Sequence, residues 1–410
     1  MQRWVEIFHP PYLYGSNNND DKVVHEQVFS KNVLFMNILK NVAHDTGAAS
    51  VAGSSTTGGG GKMLTVHYGR NVGSAAGSES LTLPTAGKQA YLQANIPMRY
   101  NFHQISLTDV VLQASKRSKE FLVNVLESEY DGAKADMQRQ LSRQGYGIGT
   151  GEIALVNGAV SSGTTIDLDT PMVGKDPTDY IEIGNMIGFG TGTTNIGTVA
   201  SITDGDTFTV SSAVTVADNA AIYIASTSSQ TNENYEMMGL KGLIDDGSNV
   251  TTLEGLSRST YTWWKSYVND NTTVRSLTDA LLHTTWIQAQ KKGNTKYILT
   301  SWDVQSAYGQ ILTPDRRYTN GDMQLNGGFK GVDFNGVPMV ADYDAPYDEA
   351  YFIDPTTLSV EELAPISFLQ EDGSILDRSA TTPAWNATLR YYANLANSAP
   401  NKSASLRDVN

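Results

Sequence analysis

The sequence predicts an α+β protein with a projecting two-stranded arm, one long helix, and a small all-β domain inserted before a C-terminal α/β region. Three observations lead to this prediction. Strand-like segments flank a polar tip between Lys62 and Phe102, an apolar stripe with helical spacing runs from Leu107 to Leu141, and short strand-like segments fill residues 152–226. The spacing of the apolar residues changes from every second residue to about every 3.6 residues and back, and these changes divide the chain into segments.

The composition narrows the class of protein. The chain has 410 residues and a formal net charge of -14, with 43 acidic and 29 basic side chains. At about 150 residues per domain it has room for two or three domains. A hydrophobic content of 40% argues against wholesale disorder, and the acidic balance argues against a protein held to nucleic acid by phosphate contacts. The absence of cysteine excludes disulfides, zinc ribbons, iron–sulfur clusters and a thiol nucleophile.

Residues 1–61 are predicted to form an N-terminal arm and a linker. The first residues lack the apolar stretch of about 7 to 15 residues that marks a secretion signal, so we expect a protein made in the cytosol. Residues 23–42 carry apolar side chains near helical spacing. Residues 47–61 are rich in glycine, serine and threonine, which is typical of a flexible linker.

Residues 62–105 are predicted to form an extended hairpin. The segments KMLTVHYGRN (residues 62–71) and QAYLQANIPMRYNF (residues 89–102) have strand character. Because an isolated hairpin is at best marginally stable in water, this arm should rest either on its own chain or on a neighbouring one.

Residues 106–151 are predicted to contain a single long helix. Ser106 followed by Asp109 is a variant of the capping box, and Gly145 supplies a C-terminal stop. The residues between them would span about 55 Å at about 1.5 Å per residue. A helix of this length indicates a spine on which other elements pack.

The rest of the chain is predicted to contain short strands, followed by helices and strands in alternation. Residues 152–226 predict an inserted barrel or sandwich of short strands. Beyond it we expect helices from Leu277 to Lys291 and from Asp303 to Leu312, with a strand beginning at Tyr297 between them. A long strand and a turn at Pro400 are expected near the C-terminus.

No catalytic, cofactor-binding or metal site is predicted. The six histidines are scattered, without metal-ligand spacing. Three pairs of acids could in principle serve glycoside hydrolysis or bind calcium, but solvated loop charge is the favoured interpretation: Asp245 with Asp246, Asp342 with Asp344, and Glu361 with Glu362. The adjacent Trp263 and Trp264 could form a sugar platform, although such pairs more often straddle core and surface.

The order of these pieces, and four stretches of sequence, resemble the major capsid proteins of tailed bacteriophages with the Hong Kong 97-type fold. The stretches are Met98 to Gly151, MGLKGLIDDG from Met238, the run from ILTSWDVQSAYGQIL to YFIDPTTLSV, and ATLRYYANLANSAPNKSASL near the C-terminus. The resemblance covers all of the chain except residues 152–226. It implies that residues 227–350 form an axial domain and that residues 351–410 form the return strands of a peripheral domain, with the spine helix.

The resemblance implies a structural, non-enzymatic protein that self-assembles into hexamers and pentamers of an icosahedral head. It implies assembly in the bacterial host cytoplasm, location in the virion, and enclosed double-stranded DNA that is not specifically bound. Scaffolding protein, a portal and possibly a decoration protein are the implied partners, with no cofactor and no membrane. The candidate inter-subunit ion pairs join two groups of side chains, with ordinary solvated charge as the open alternative: Arg70, Lys88 and Arg99 on the hairpin, and Glu127, Glu129 and Asp131 on the helix.

Two other classes stay open at this point. A nanocompartment shell similar to the encapsulins shares the same fold and would enclose an enzyme instead of a genome. A carbohydrate-binding or hydrolytic protein built around Trp263, Trp264 and the acid pairs would be a stable monomer with sugar affinity.

Overall fold

The computed structural model describes residues 43–45, 61–76, 79, 84–110, 119–192, 195–312, 323–324, 330–369, 375–379 and 381–410, with the side chains of residues 43–45, 119–128 and 323–331 left aside. The predicted helix at residues 23–42 and the predicted linker at residues 47–61 lie outside these ranges, except for Gly61, which begins a strand. The division of the chain into six segments stays a prediction.

The strands are numbered in chain order. Those before the spine helix are β1 (Ala43–Asp45), β2 (Gly61–Gly69), β3 (Ala90–Pro97) and β4 (Arg99–Thr108). Those that follow the helix directly are β5 (Glu152–Val156), β6 (Val160–Asp169), β7 (Met186–Phe189), β8 (Ile196–Ile202), β9 (Thr207–Val216), β10 (Ala221–Thr227) and β11 (Gln230–Thr231). The remaining strands are β12 (Thr252–Leu253), β13 (Leu256–Ser257), β14 (Tyr267–Asn269), β15 (Tyr297–Thr300), β16 (Met323–Gln324), β17 (Lys330–Phe334), β18 (Val337–Ala341), β19 (Ala350–Ile353), β20 (Leu358–Phe368), β21 (Asp377–Arg378), β22 (Ala384–Asn397) and β23 (Ala404–Leu406).

The α-helices are α1 (Lys119–Tyr146), α2 (Leu240–Leu243), α3 (Asp279–Gln290) and α4 (Trp302–Leu312). Short 3₁₀ turns lie at Pro177–Tyr180, Thr262–Trp264 and Pro400–Lys402. The helices α3 and α4, the strand β15 and the turn at Pro400 confirm the sequence predictions for the C-terminal half. No helix within the described ranges is both long and apolar enough to cross a membrane.

The predicted start of the spine helix is wrong. Strand β4 continues to Thr108, and Ser106 pairs with Asn386 of β22 instead of capping a helix. Ile105 and Leu107 are buried while Gln104, Ser106 and Thr108 are exposed. Burial therefore alternates with a period of two, because this stretch pairs with β22 as a strand. Helical backbone begins at Asp109. The described helix α1 has 28 residues and ends at Tyr146, which confirms a stop close to Gly145.

A five-stranded sheet forms one face of the molecule. Its order is β1-β20-β22-β21, with β4 on β22. The inner residues of β4 and β22 join one apolar core with the helix residues Ala133, Met137 and Leu141. The predicted stripe of the spine helix therefore buries itself against this sheet.

The predicted second strand of the arm divides between two sheets. Residues 90–97 pair with β2 in the hairpin, whereas residues 99–108 pair with β22, and Met98 lies between the two strands. The arm proper is therefore β2 and β3, and β4 belongs to the sheet behind it.

The segment after the spine helix closes into a β-barrel. Strand β10 pairs with both β5 and β7, so β5, β6, β9, β8, β7 and β10 form a ring, with β11 beside β10. Alternate residues fill the interior, where Phe189 and Phe208 stack with their centroids 6.4 Å apart. The two possibilities left by the sequence, barrel or sandwich, resolve to a barrel because both ends of the sheet meet on one strand.

A seven-stranded mixed sheet contains the C-terminal half, in the order β14-β23-β19-β15-β18-β17-β16. It includes β19 and β23, whereas residues 351–410 are predicted to form return strands of a peripheral domain, and that domain assignment stays a prediction. All four residues of β19 and all three of β23 are buried. Helices α3 and α4 pack on this sheet around a second apolar core.

Candidate assembly surfaces and the junctions behind them

The base of the hairpin is anchored on its own chain. Ala94 and Ile96 of β3 are fully buried. The amide of Asn95 donates a hydrogen bond of 2.7 Å to the carbonyl oxygen of Glu254, and Lys62 Nζ lies 2.6 Å from Glu361 Oε2 on β20. The first residues of both arms are therefore fixed by burial, a backbone hydrogen bond and an ion pair.

The middle of the hairpin also rests on its own body. Leu64 and Val66 pack partly buried against the main core, and the ring of Tyr68 stacks on Trp263 with centroids 5.4 Å apart and an interplanar angle of 11°. Trp264 is buried and Trp263 half-buried, so this pair straddles core and surface as the sequence indicated. Because Tyr68 covers one face of Trp263, the sugar-platform interpretation loses support.

The outer part of the hairpin projects. Arg70 and Lys88 are exposed, and Val72 exposes 87% of its side chain. A Cβ on Gly73 would lie 2.9 Å from the carbonyl oxygen of Thr85 and 3.0 Å from the amide nitrogen of Gly87, so the two arms touch beyond the β-ladder. This narrow, basic end is available for contact with another molecule.

The spine helix presents an acidic outer face. Glu129, Asp131 and Asp136 are exposed, and a Cβ on Gly132 would meet no atom within 4 Å. The side chain of Glu127 lies outside the described residues. The sequence therefore placed opposite charges on two separate surfaces, the hairpin end and this helix face.

Arg99 differs from the other candidate contacts. Its guanidinium donates a hydrogen bond of 2.6 Å to the carbonyl oxygen of Asn234 and is half-buried, and burial lowers its pKa while Tyr235 opposes that shift. Within one chain, no ion pair between described residues joins Arg70, Lys88 or Arg99 to the acidic candidates.

The five-stranded sheet carries an exposed aromatic face that is not among the sequence predictions. Tyr100 and Phe102 point outward from β4, and both rings contact Tyr392 edge to face, at 4.9 and 5.6 Å. The guanidinium of Arg390 lies 5.7 Å from the centre of the Tyr392 ring. The alternation of aromatic and polar residues in Arg99–Phe102 is the sequence signal for this face, but the sequence prediction places these residues in the hairpin.

With these surfaces placed, comparison with known proteins gives one decisive result. No family model matches the sequence, and no curated protein matches it. A chain of the cyanophage A-1(L) capsid asymmetric unit superposes with a TM-score of 0.55 at 14% identity, and the match covers 98% of both chains. The chain has the fold of a phage capsid subunit.

Two further structures have lower TM-scores and carry no weight here. A native GTA particle capsid matches with a TM-score of 0.45 at 9% identity, covering 97% of this chain and 96% of that one. The SrpI encapsulin of Synechococcus elongatus PCC 7942 matches with a TM-score of 0.28 at 15% identity, covering 35% of this chain and 53% of that one.

Behind its surfaces, the capsid fold is held by buried charge, and the expectation of solvated acids is wrong for five of the six paired acids. Asp246 alone is half-exposed; the others expose 7% of their surface or less: Asp245, Asp342, Asp344, Glu361 and Glu362. Buried carboxylates need hydrogen bonds or cations, and no sequence pattern revealed their partners.

Asp245 is the centre of the largest of these junctions, which we call the Asp245 junction. One carboxylate oxygen accepts hydrogen bonds from the amides of Gly247 and Val250 and lies 3.3 Å from Arg258; the other lies 3.1 Å from Arg407. Burial by itself would raise the pKa of Asp245, but these amides and Arg407 hold it below its usual value.

The Asp245 junction extends to the mixed sheet through Glu349 of the segment before β19. Lys241 Nζ lies 2.9 Å from Glu349, whose other oxygen accepts a hydrogen bond from the hydroxyl of Tyr351. Burial opposes ionisation of Glu349, yet Lys241 and Arg407 keep its pKa below the usual value. Both carboxylates of this junction therefore have at least two polar or cationic partners each.

Asp342 and Asp344 join three units. The hydroxyl of Tyr146, at the end of the spine helix, donates a hydrogen bond of 2.8 Å to the carboxylate of Asp342. The carboxylate of Asp344 accepts a hydrogen bond of 2.9 Å from the hydroxyl of Tyr180 in the barrel and another from the hydroxyl of Ser142. Burial raises the pKa of Asp344. Helix, barrel and mixed sheet are therefore hydrogen-bonded to one loop.

A different kind of junction lies under the hairpin. Glu254 occupies the turn between β12 and β13 with a left-handed φ of 52°, and its Oε1 accepts 2.9 Å from the amide of Asn397. Its Oε2 is buried without a hydrogen-bond partner among the described residues. Burial raises the pKa of Glu254 to about 8, with a further contribution from Glu361 and an opposing one from Arg258.

The described residues contain no group of three or more histidine, aspartate or glutamate side chains placed to hold a metal ion. His67 contacts Gln89 at 2.8 Å and His283 contacts Asn335 at 3.2 Å, so both take part in ordinary surface hydrogen bonds. The arrangement offers surfaces for contact and junctions for stability.

Proposed function

We propose that this chain is the structural major capsid protein of a tailed bacteriophage, assembling into hexamers and pentamers of an icosahedral head that encloses double-stranded DNA. The observation that carries the proposal is the capsid fold matched over 98% of both chains.

The geometry supports self-association through heterologous contacts. The basic end of the hairpin and the acidic face of α1 are different surfaces of one chain, and they do not pair within it. A contact between unlike patches closes into a ring when the rotation allows, and rings of six and five build a closed shell. Because the base of the hairpin is fixed, its end can reach a neighbour without first being ordered.

In this proposal Arg70 and Lys88 meet Glu129, Asp131 and Glu127 of an adjacent copy. Arg99, which already binds Asn234, contributes less. Exposed ion pairs are each worth under about 1 kcal/mol, so these pairs would set register and partner choice while buried area and copy number supply the stability.

The finer arrangement follows the Hong Kong 97-type pattern. The five-stranded sheet with α1 corresponds to the peripheral domain, and the mixed sheet with α3 and α4 to the axial domain. The barrel is an inserted domain that faces outward and adds contacts or stability. The hydrogen bond from Tyr180 to Asp344 favours a barrel held rigidly against the other two units.

The net charge of -14 suits a container for DNA, because a lumen that repels phosphate lets a genome be packed and released without adhering. In this proposal the protein is not an enzyme and needs no cofactor. It assembles in the host cytoplasm with scaffolding protein, portal and possibly a decoration protein, and it ends in the virion.

The test is the size distribution of the purified protein, by sedimentation velocity and negative-stain microscopy, with and without co-expressed scaffolding protein. Rings or closed shells are expected. A persistent monomer of 44.4 kDa under both conditions would contradict the proposal.

The contents of the shells distinguish a capsid from a compartment similar to the encapsulins. Nuclease-protected double-stranded DNA in shells from infected cells supports a phage head, whereas a co-purifying enzyme without DNA supports a compartment. A monomer that binds oligosaccharides would instead direct attention to Trp263 and the aromatic face.

A further inference from the structure

The junction under the hairpin combines a backbone contact, a buried carboxyl group and unsatisfied polar atoms at one place. The amide of Asn95 on β3 donates to the carbonyl oxygen of Glu254, while the carboxylate of the same residue accepts from Asn397 on β22. One turn residue therefore ties the hairpin to the five-stranded sheet.

The polar atoms of this junction are not all satisfied. Glu254 Oε2, Asn95 Oδ1 and Asn397 Nδ2 are buried and have no hydrogen-bond partner among the described residues. The ionised Glu254 therefore has a donor for only one of its two oxygens, from the amide of Asn397, whereas a protonated carboxyl group carries no charge and is less costly to bury in this position.

The charged groups around Glu254 act in opposite directions, so it is burial that disfavours the ionised form. Glu361 on β20 repels it, although Lys62 on β2 neutralises part of that charge, and Arg258 beyond β13 attracts it from within the Asp245 junction. Glu362, the next acid on β20, acts on Tyr391. On β3 and β22 the residues that contact Glu254 are Asn95 and Asn397, which do not titrate.

We propose that Glu254 is a proton-sensitive clamp on the hairpin: protonated, it holds β3 against the sheet, and ionised, it releases the base of the hairpin to swing. This inference concerns a single chain and does not depend on the chain forming a shell. It assigns a conformational function to a turn whose strained φ places a carboxyl group where an ordinary turn would place a polar, exposed side chain.

The linkage gives the pH window. The pKa of Glu254 is about 8 in the clamp and should return to about 4.5 when the junction opens. The opening equilibrium should therefore rise by up to about tenfold per pH unit between pH 5 and 7.5, and level off above pH 8.

The experiment is hydrogen exchange of the full chain at pH 5.5, 6.5 and 7.5, with rates corrected for the intrinsic pH dependence. The readout is the Asn95 amide, which donates to Glu254. We expect its protection to fall by about 100-fold across this range in the wild type. In Glu254→Gln, which mimics the neutral form, protection should be independent of pH and about tenfold above the wild-type value at pH 5.5.

Controls separate this clamp from general loosening. Asp270→Asn alters an exposed acid and should reproduce the wild-type pH dependence. Glu361→Gln removes the repelling charge and so lowers the pKa of Glu254 in the clamp, and protection should therefore stop falling at a lower pH than in the wild type. A wild-type profile without pH dependence, or a Glu254→Gln profile that follows the wild type, would overturn the proposal; if Glu254→Gln does not fold, an unshifted Glu361→Gln profile would do the same.

Discussion

Asp245 in the Asp245 junction and Glu254 in the junction under the hairpin, called the Glu254 junction below, are both buried, but the pKa of the two carboxyl groups shifts in opposite directions. Asp245 is surrounded by amides and two guanidinium groups, and its pKa is lowered. Glu254 has one amide donor, the charges of Arg258 and Glu361 act on it in opposite directions, and burial raises its pKa. Burial disfavours charge in both cases, so the number of donors decides the outcome.

The difference indicates two functions for buried acid in this fold. The Asp245 junction connects α2, the loop after it and the mixed sheet, which are parts that must not move against each other. The Glu254 junction lies where a projecting arm meets the body. A junction whose buried carboxylate has enough hydrogen-bond donors favours rigidity. A junction whose carboxylate has too few donors leaves a contact that changes with pH.

The largest expected effect comes from breaking the Asp245 junction. Asp245→Asn should lower the free energy of unfolding by about 3–5 kcal/mol, because Arg258 loses its buried counter-ion and Arg407 loses one of two. Urea unfolding followed by tryptophan fluorescence measures it. Asp246→Asn is the matched control and should cost under about 1 kcal/mol, since that half-exposed carboxylate accepts a hydrogen bond from the amide of Ser248 and from no other group in the described part of the chain. Equal losses would show that the junction is not the source of stability.

The next effect is the opposite pH dependence of the two junctions. For a group whose folded pKa is raised, stability is highest below the unfolded pKa and falls as pH rises; for Glu254 the window runs from about 4.5 to about 8. Asp245, whose folded pKa is lowered, contributes stability above its unfolded pKa of 3.8 and loses it in acid.

Glu254→Gln should therefore gain stability relative to the wild type by roughly 2–4 kcal/mol on going from pH 5 to pH 8. Urea unfolding at both pH values measures the difference. A constant difference between variant and wild type at pH 5 and 8 would mean that Glu254 titrates normally.

A smaller effect tests how far the anchored part of the hairpin extends. Tyr68→Ala removes the ring stacked on Trp263 and should cost about 1–2 kcal/mol. Tyr91→Ala, on the opposite face of the hairpin and 60% exposed, is the control and should cost no more than about 0.5 kcal/mol. If both cost the same, the hairpin does not rest on its own body through Tyr68.

The smallest effect on stability should accompany the largest effect on assembly. Arg70→Glu with Lys88→Glu should change the free energy of unfolding of the monomer by less than about 0.5 kcal/mol, because both side chains are exposed. The same double variant should fail to form rings or shells by sedimentation velocity. Lys292→Glu, an exposed charge on another face, should assemble normally; normal assembly of the double variant would remove these residues from the contact.

Local patterns predicted much of the architecture. The stripe of Ala133, Met137 and Leu141, the β segments of residues 152–226 and the strand at Tyr297 each report a face that must be buried, and each was predicted from spacing alone. The boundary at Met98 could not be, since residues 89–108 alternate throughout while their partner changes from β2 to β22.

By itself, the sequence determined the kinds of element, the lack of any cysteine chemistry, and the charges of the hairpin and the helix, because these depend on local periodicity and composition. Only the tertiary structure decided whether the acidic side chains are solvated or buried, and which groups they contact. A buried carboxylate can have many hydrogen-bond donors, like Asp245, or few, like Glu254, and these donors come from residues up to 162 positions away, as Arg407 does. No local pattern encodes how many such donors will meet a buried oxygen.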